Sequence, residues 1–183
     1  MLPGATKDSQ LISEDWHKLG EKIAGVSVHE VRHVPRDHGV LTEIFRPEWD
    51  PTGQPVVQIY QSRLFAGALG AWSCHARTTD RLFVCEGHVK IVLYDGRDGS
   101  NTRGRVMELH AGDANPCLVV VPPGIWHGLQ CLGGGEALVL NMPTEAYNYG
   151  DPDHWRLPFD TPEIPYVWNV TGSTRTRNDR APD

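Results

Sequence analysis

One turn motif, Pro122-Pro123-Gly124-Ile125-Trp126-His127, limits the folds open to this chain more than any other segment. It follows an apolar run, Leu118 to Val121, that is typical of a buried strand. Proline and glycine are turn formers, so the motif predicts a tight turn that directs His127 back into a β-barrel. His75 ends an earlier predicted strand, and the two histidines are expected to face one cavity.

Short extended runs separated by turn residues recur through most of the chain. They lie between Val26 and Asn141, and one pair forms a predicted hairpin about Glu86-Gly87-His88. Many short strands at fairly regular spacing indicate a sandwich or barrel. Together with the two inward histidines, this pattern predicts an all-β fold of the cupin type, a double-stranded β-helix or jelly roll.

The chain divides into three predicted parts. Residues 1–25 form an N-terminal extension with a short helix from Ser13 to Ile23, because Ser13 can cap it and Trp16, Leu19 and Ile23 share one face. Residues 26–170 form the cupin jelly-roll domain. Residues 171–183 are polar and rich in arginine, which predicts a flexible tail.

Composition narrows the class of function. The 183 residues are 39% hydrophobic and 22% charged, as in a globular domain. A formal charge of −6 disfavours nonspecific binding to nucleic acid or to anionic membranes. No apolar run is long enough for a membrane span, and the four cysteines lack Cys-x-x-Cys spacing. These features predict a cytoplasmic protein with reduced thiols.

From about Val26 to Trp168 the chain resembles the dTDP-4-dehydrorhamnose 3,5-epimerase family of sugar-nucleotide cupins. The resemblance rests on short motifs that occur in the family's order along the chain. They are Asp37 to Arg46, Gln58, Cys74-His75, Arg81 to Gly87, Tyr94 to Ser100, Pro123 to Gly128, Tyr147, Tyr149, and Ile164 to Trp168.

The resemblance implies epimerisation or isomerisation of a nucleotide-linked 4-keto-6-deoxyhexose by a homodimer. His75 would be the base that removes a proton beside the ketone, and Tyr149 or Tyr147 the acid on the opposite face. Arg81 would stand near the family's oxyanion-stabilising lysine. The implied substrate-binding residues are His127, Glu43, Gln58, Asp95, Trp72 and His38. No metal or other cofactor is implied, because the sugar's ketone accepts the electron pair.

Three departures from the family pattern concern phosphate binding and the base. His38 and Trp72 stand where the family has arginines that contact the diphosphate. The family's histidine is oriented by an aspartate beyond the Ile-x-Trp ending, where this chain has only Asp179 and Asp183. The sequence leaves open what replaces these groups.

Two other functions remain open from the residues. Metal-dependent cupin enzymes use two or three histidines and a carboxylate, and His75, His127 and Asp80 offer part of that set. Arg77 stands at the usual second histidine position, where its charge would repel a metal ion. The loss of both family arginines favours instead a noncatalytic cupin that binds a sugar nucleotide.

Overall fold

The computed structural model describes residues 1–7, 10–15 and 20–170. Two five-stranded antiparallel sheets and one separate hairpin account for its regular structure. The first sheet has the order β1-β9-β6-β11-β4, and the second has the order β12-β5-β10-β7-β8. The hairpin pairs β2 with β3. The all-β prediction is confirmed.

The strands are short, as the spacing of turn residues predicts. Their bounds are β1 Ser27–Glu30, β2 His33–Arg36, β3 Gly39–Thr42, β4 Tyr60–Leu64, β5 Leu69–Cys74, β6 Asp80–Glu86, β7 His88–Asp95, β8 Val106–Gly112, β9 Cys117–Val121, β10 Ile125–Cys131, β11 Ala137–Asn141 and β12 Trp155–Arg156. Among the described residues the only helical element is a 3₁₀ turn, Pro47–Trp49.

The main core lies between the two sheets. Strands β6 and β9 contribute Leu82, Val84 and Val119 from one sheet, while β7 contributes Ile91 and Leu93 from the other. Side chains alternate between the two faces of a strand, so every second residue of β6 points inward. Asp80, the first residue of β6, is on the same face as Leu82 and Val84.

The outer face of each sheet is covered by a further apolar layer. Phe83 and Leu118 pack with residues of the 31–56 segment outside the first sheet. Trp72 and Val92 pack with Trp168 outside the second sheet. The chain segments before β4 and after β12 therefore protect the two outer faces of the jelly roll.

The described part of the predicted N-terminal helix contains no helical residues. Glu14 and Asp15 form a turn, and residues 20–23 have no regular structure. Ile23 is buried in the core, and the amide of Ala24 donates to Thr102 Oγ1 at 3.0 Å. Contacts with the barrel therefore override the weak helical preference. Residues 16–19 of the predicted helix and the predicted tail, 171–183, lie outside the described residues.

All four cysteines are free thiols. Cys74, Cys117 and Cys131 are buried, and Cys85 is partly exposed. In the described part of the chain, no helix has the length and apolarity needed to cross a bilayer.

Candidate functional site

A cavity of about 310 Å³ opens at one end of the jelly roll. This volume lies at the lower end of the range usual for small-molecule sites. Strands β4 and β6 contribute Tyr60 and Asp80 at their first residues, and the loop between β5 and β6 contributes His75, Arg77 and Thr78. More than half of the lining comes from the segment after β11, which contributes Pro143, Glu145, Ala146, Tyr147, Asn148, Tyr149, Asp153 and His154.

The two histidines singled out in the sequence converge on the carboxylate of Asp80, which lines this cavity together with His75. His127 is buried and is not among the lining residues, so its predicted contact with substrate is not found in this chain. His75 Nε2 lies 3.1 Å from Asp80 Oδ2, and His127 Nε2 lies 3.4 Å from the same oxygen. The imidazole centroids are 5.6 Å apart, and the ring planes are inclined by 29°. The convergence predicted from the Pro-x-Gly turn is therefore present.

The Pro-x-Gly turn also holds the backbone of the first histidine. The amide of Gly124 donates to the carbonyl oxygen of His75 at 2.7 Å. Gly124 has φ +80°, and a Cβ there would lie 2.7 Å from Arg97 Cγ, so glycine is required. The turn thus fixes both His127, at the start of β10, and His75, just beyond β5.

Burial and charge set the protonation of this cluster. Burial alone would lower the pKa of His75, but hydrogen bonding to Asp80 and its charge outweigh burial and raise it. Burial lowers the pKa of His127, with the Asp80 charge opposing the change. Burial would raise the pKa of Asp80, but contacts with both imidazoles lower it. The protonated, positively charged form is thus favoured for His75 and disfavoured for His127.

Asp153 is a second orienting group that acts through both its backbone and its side chain. Its carbonyl oxygen accepts a hydrogen bond from His75 Nδ1. Its carboxylate accepts from the amides of Ala76, Arg77 and Thr78 at 2.8 to 2.9 Å. These backbone bonds outweigh burial and hold the pKa of Asp153 well below its usual range. Asp153 therefore holds in place both the loop that follows His75 and the imidazole ring of His75.

Asp80 is held from its other side by β11. Asn141 Nδ2 donates to Asp80 Oδ1 at 2.7 Å and to the Tyr60 hydroxyl at 2.8 Å. Within the described residues, one group of side chains has the spacing of metal ligands, namely His75, Asp80 and His127, whose donor atoms lie within 4.8 Å of one another.

Three of the residues predicted from the sequence lie together with His75 at the cavity. Gln58, Tyr147 and Tyr149 all line it. Gln58 Oε1 accepts from the amide of Tyr147 at 2.8 Å. Tyr147 is 48% exposed and Tyr149 is 89% exposed, so the Tyr147 ring is the better enclosed of the two.

Arg81 lies outside the cavity lining. Its side chain has no exposure, and it contacts Asp50 Oδ2 from Nε at 2.8 Å and from Nη2 at 2.5 Å. The remaining guanidinium donors reach Thr52 Oγ1 and the carbonyl oxygens of Gln54, Pro55 and Met142. It is not among the residues that line the cavity. The expected placement beside a substrate oxyanion is therefore wrong, because the strand turns this side chain to the outer face.

Trp72 and Asp95 are also absent from the cavity lining. Trp72 is fully buried on the outer face of the second sheet against Trp168, at a centroid distance of 5.2 Å. Asp95 accepts from Arg97, Ser100 and Thr102 in the loop after β7. Both predicted contacts with substrate are contradicted within this chain, since packing and the loop network occupy these groups.

The two predicted residues of the N-terminal segment lie on the surface. Glu43 is exposed and lies 3.5 Å from Arg46, and His38 is an exposed residue of the β2–β3 turn. Neither lines the cavity of this chain.

Sequence reasoning missed the roles of Asp153, Tyr60 and His154, and it treated Asp80 only as a possible metal ligand. The His154 ring centroid lies 4.9 Å from that of His75. The alternation of β6 could have identified Asp80, because it has the parity of the inward residues Leu82 and Val84. Asp153 lies 78 residues from its partner, in an irregular segment with no local signal.

The sequence matches one family model over most of its length. Residues 20–181 match the family described as dTDP-4-dehydrorhamnose 3,5-epimerase. A probable low-salt glycan biosynthesis epimerase, Agl13 of Haloferax volcanii, is 34% identical over 149 residues, covering 81% of this chain and 96% of the relative. The spore coat polysaccharide biosynthesis protein SpsL of Bacillus subtilis is 31% identical over 148 residues, covering 81% and 97%.

Two solved structures are similar to this chain, one in sequence and fold and the other in fold alone. A dTDP sugar isomerase from Desulfovibrio desulfuricans G20 is 31% identical, with a TM-score of 0.73 over 80% of this chain and 92% of that one. The epimerase RmlC of Legionella pneumophila, solved with dTDP-4-keto-L-rhamnose, has a TM-score of 0.75 at 20% identity, covering 86% of each chain. At that identity the second likeness supports the fold alone.

Proposed function

Because the chain belongs to the dTDP-4-dehydrorhamnose 3,5-epimerase family, we propose that it epimerises or isomerises a nucleotide-linked 4-keto-6-deoxyhexose. One observation carries the proposal. In a chain of this family, an imidazole–carboxylate pair, His75 and Asp80, lines the same cavity as a tyrosine, Tyr147. Inversion at a carbon requires a base and an acid, and His75 and Tyr147 supply these two groups.

The reaction begins with neutral His75, which takes the proton from the carbon beside the ketone. The electron pair of the broken C–H bond moves to the ketone oxygen as an enolate. Nδ1 is bonded to the carbonyl oxygen of Asp153, so Nε2 takes the proton, and the imidazolium that forms is stabilised by the Asp80 carboxylate, 3.1 Å from that nitrogen. Asp153 keeps the ring oriented through Nδ1.

Tyr147 is the proposed acid. Its hydroxyl donates a proton to the opposite face of the same carbon, which restores the ketone with inverted configuration. The amide of Tyr147 is held by Gln58 Oε1, and its ring meets that of Tyr149 edge to face at 5.1 Å. Tyr147 is favoured over Tyr149 because a better enclosed donor is more precisely placed.

Arg77 is the proposed partner of the diphosphate. It lines the cavity and lies 3.6 Å from Glu145, with both side chains about half exposed. Exposed ion pairs contribute about 0–1 kcal/mol, so a phosphate can displace Glu145 at little cost. Arg77 would thus take the place of the two family arginines that His38 and Trp72 replace.

Isotope exchange tests the function directly. With dTDP-4-keto-6-deoxyglucose in D₂O, the protein is expected to introduce deuterium at C3, C5 or both, as measured by NMR. The number of labelled carbons reports whether one or two centres react. Saturable binding without any exchange would contradict catalysis and favour the noncatalytic alternative.

Substituting each tyrosine separates the two candidate acids. Tyr147→Phe is expected to slow inversion by about 100-fold, as loss of a general acid usually does, while exchange by His75 continues. Tyr149→Phe is the matched control, expected to change inversion less than about threefold. Product configuration and deuterium content from one NMR sample give both rates, and the reverse ranking would transfer the role to Tyr149.

A homodimer is proposed from the exposed apolar side chains of the β2–β3 hairpin. Val34 and Leu41 are paired across its strands and are 46% and 47% exposed. A second copy would cover this surface and pair with an exposed sheet edge. Light scattering is expected to give twice the chain mass of 20.4 kDa.

Leu41→Asp is expected to give the monomer mass, because a charge opposes burial of the hairpin. Asn101→Asp adds the same charge on an exposed loop and should leave the dimer intact. A monomeric wild type would contradict this assembly.

We also place the protein in the cytoplasm, since four free thiols suit a reducing compartment.

A further inference from the structure

The hydrogen bonds of the two site histidines fix which ring nitrogen carries a proton. His75 Nδ1 bonds to the carbonyl oxygen of Asp153, and His127 Nδ1 lies 3.2 Å from that of Ile125. A carbonyl oxygen only accepts, so each Nδ1 must carry hydrogen. In the neutral form both histidines therefore present the Nε2 lone pair, and both lone pairs face Asp80 Oδ2.

This arrangement is the usual environment of a metal-binding histidine. Such residues donate one ring N–H to a backbone carbonyl or carboxylate, which orients the other nitrogen toward the ion. Asp80 receives comparable support, because Asn141 Nδ2 donates to its Oδ1 at 2.7 Å and leaves Oδ2 for the cluster.

The spacing of the donor atoms also suits a small divalent ion. In a tetrahedral site with bonds of about 2.0 to 2.1 Å, neighbouring donors lie about 3.3 Å apart. The two observed Nε2–Oδ2 distances are 3.1 and 3.4 Å. All three donors fall within 4.8 Å of one another, so little rearrangement is needed for binding.

The charges around the three side chains do not oppose the binding of a cation. The sequence placed Arg77 at a position where it would repel a cation, but its Nε is directed to Glu145 at 3.6 Å, and the side chain is 54% exposed. The nearest full charge to the two imidazoles is the Asp80 carboxylate, which is 4% exposed.

We propose that His75, Asp80 and His127 bind one first-row transition-metal ion. Two imidazoles and one carboxylate suit zinc, cobalt or iron, whereas magnesium and calcium prefer all-oxygen ligands. His75 and Asp80 line the cavity, so a further ligand can reach the ion from that side. If the epimerase function proposed above holds, the ion occupies the Nε2 that His75 needs as a base, so metal-loaded protein does not catalyse exchange.

Titration with Co²⁺ tests the site without reference to activity. Protein stripped with EDTA and dialysed is expected to bind one Co²⁺ per chain, followed by calorimetry and visible absorption, and not to bind Mg²⁺ at this site. His75→Gln and His127→Gln should each weaken binding by at least about 100-fold, more than the loss of an outer-shell partner. Circular dichroism verifies that each variant is folded.

A matched control removes the other close histidine pair. His88 Nε2 and His110 Nδ1 lie 2.9 Å apart on the exposed surface of β7 and β8. The His88→Gln/His110→Gln protein should keep the Co²⁺ affinity of the wild type. Binding that survives both site substitutions, or wild-type protein that binds no Co²⁺ at millimolar concentration, overturns the proposal. The second result does not depend on any variant.

Two further outcomes separate this inference from the proposed function. Metal-free wild type that fails to exchange deuterium contradicts the epimerase function and leaves the titration to decide the metal site. Co²⁺-loaded protein that exchanges as fast as the metal-free protein contradicts the shared use of His75.

Discussion

Alanine in place of His75 is expected to slow deuterium exchange into a 4-keto-hexose nucleotide by 10²- to 10⁴-fold. This range is typical of the loss of a general base. The His75 side chain is 14% exposed and lines the cavity. Its loss removes one partner of the buried Asp80 carboxylate, so the melting temperature should fall, and circular dichroism verifies that the variant is folded. Exchange is measured by NMR at saturating substrate, with metal-free protein throughout.

His88→Ala is the matched control for that experiment. His88 is an exposed histidine at the start of β7, outside the cavity lining, and its removal should leave the exchange rate within about twofold. Binding of thymidine diphosphate should persist in the His75 variant, since Arg77 remains. An unchanged exchange rate in the His75→Ala protein would remove this residue as the base.

The second large effect concerns stability. Replacing Arg81 with methionine is expected to lower the free energy of unfolding by about 3–5 kcal/mol, the usual result of leaving one buried charge unpaired. The unpaired group is Asp50, which is 1% exposed and lies 2.5 Å from Arg81 Nη2. Urea denaturation followed by tryptophan fluorescence measures the change.

A second arginine provides the comparison for Arg81. Arg77→Met removes a half-exposed ion pair with Glu145 and should cost less than about 1 kcal/mol. Asp50→Asn combined with Arg81→Met removes both charges and should recover part of the loss. Equal stability of the wild type and the Arg81→Met protein would contradict the anchoring role assigned to this network.

Local sequence signals were sufficient to predict the hairpins and one of the histidines. Gly87 illustrates why. It has φ +82°, and a Cβ there would lie 2.5 Å from the carbonyl oxygen of Glu136. Only glycine suits such a position, so the residue marks the β6–β7 turn in the sequence itself. The same holds for Gly124 and, through it, for His127.

The direction of neighbouring side chains was harder to predict. Asp80 and Arg81 are adjacent on β6, and alternation places them on opposite faces. The resemblance to the family drew attention to the cation, but the strand directs the carboxylate to the cavity and the guanidinium to Asp50. A single step in strand register therefore decides which of two charged residues can take part in chemistry.

Contacts between distant segments could not be predicted from the sequence. Asp153 reaches His75 and the loop after it from an irregular segment with no periodicity. Ile23 and Ala24 are held by the barrel rather than by a helix. In both cases the partner is distant along the chain, so neither composition nor spacing indicates the pairing.

The wall formed by the segment after β11 has an evolutionary consequence. Residues 143–154 supply more than half of the cavity lining. Thr144 and Asp153 hold this segment through hydrogen bonds to the loop between β5 and β6, and most of the other lining residues of the segment are exposed. New sugar preferences can thus arise by exchanging one short stretch between family members, while the histidine-bearing scaffold is inherited unaltered. Chimeras that keep the aspartate and replace its neighbours would be the natural starting library for altering specificity.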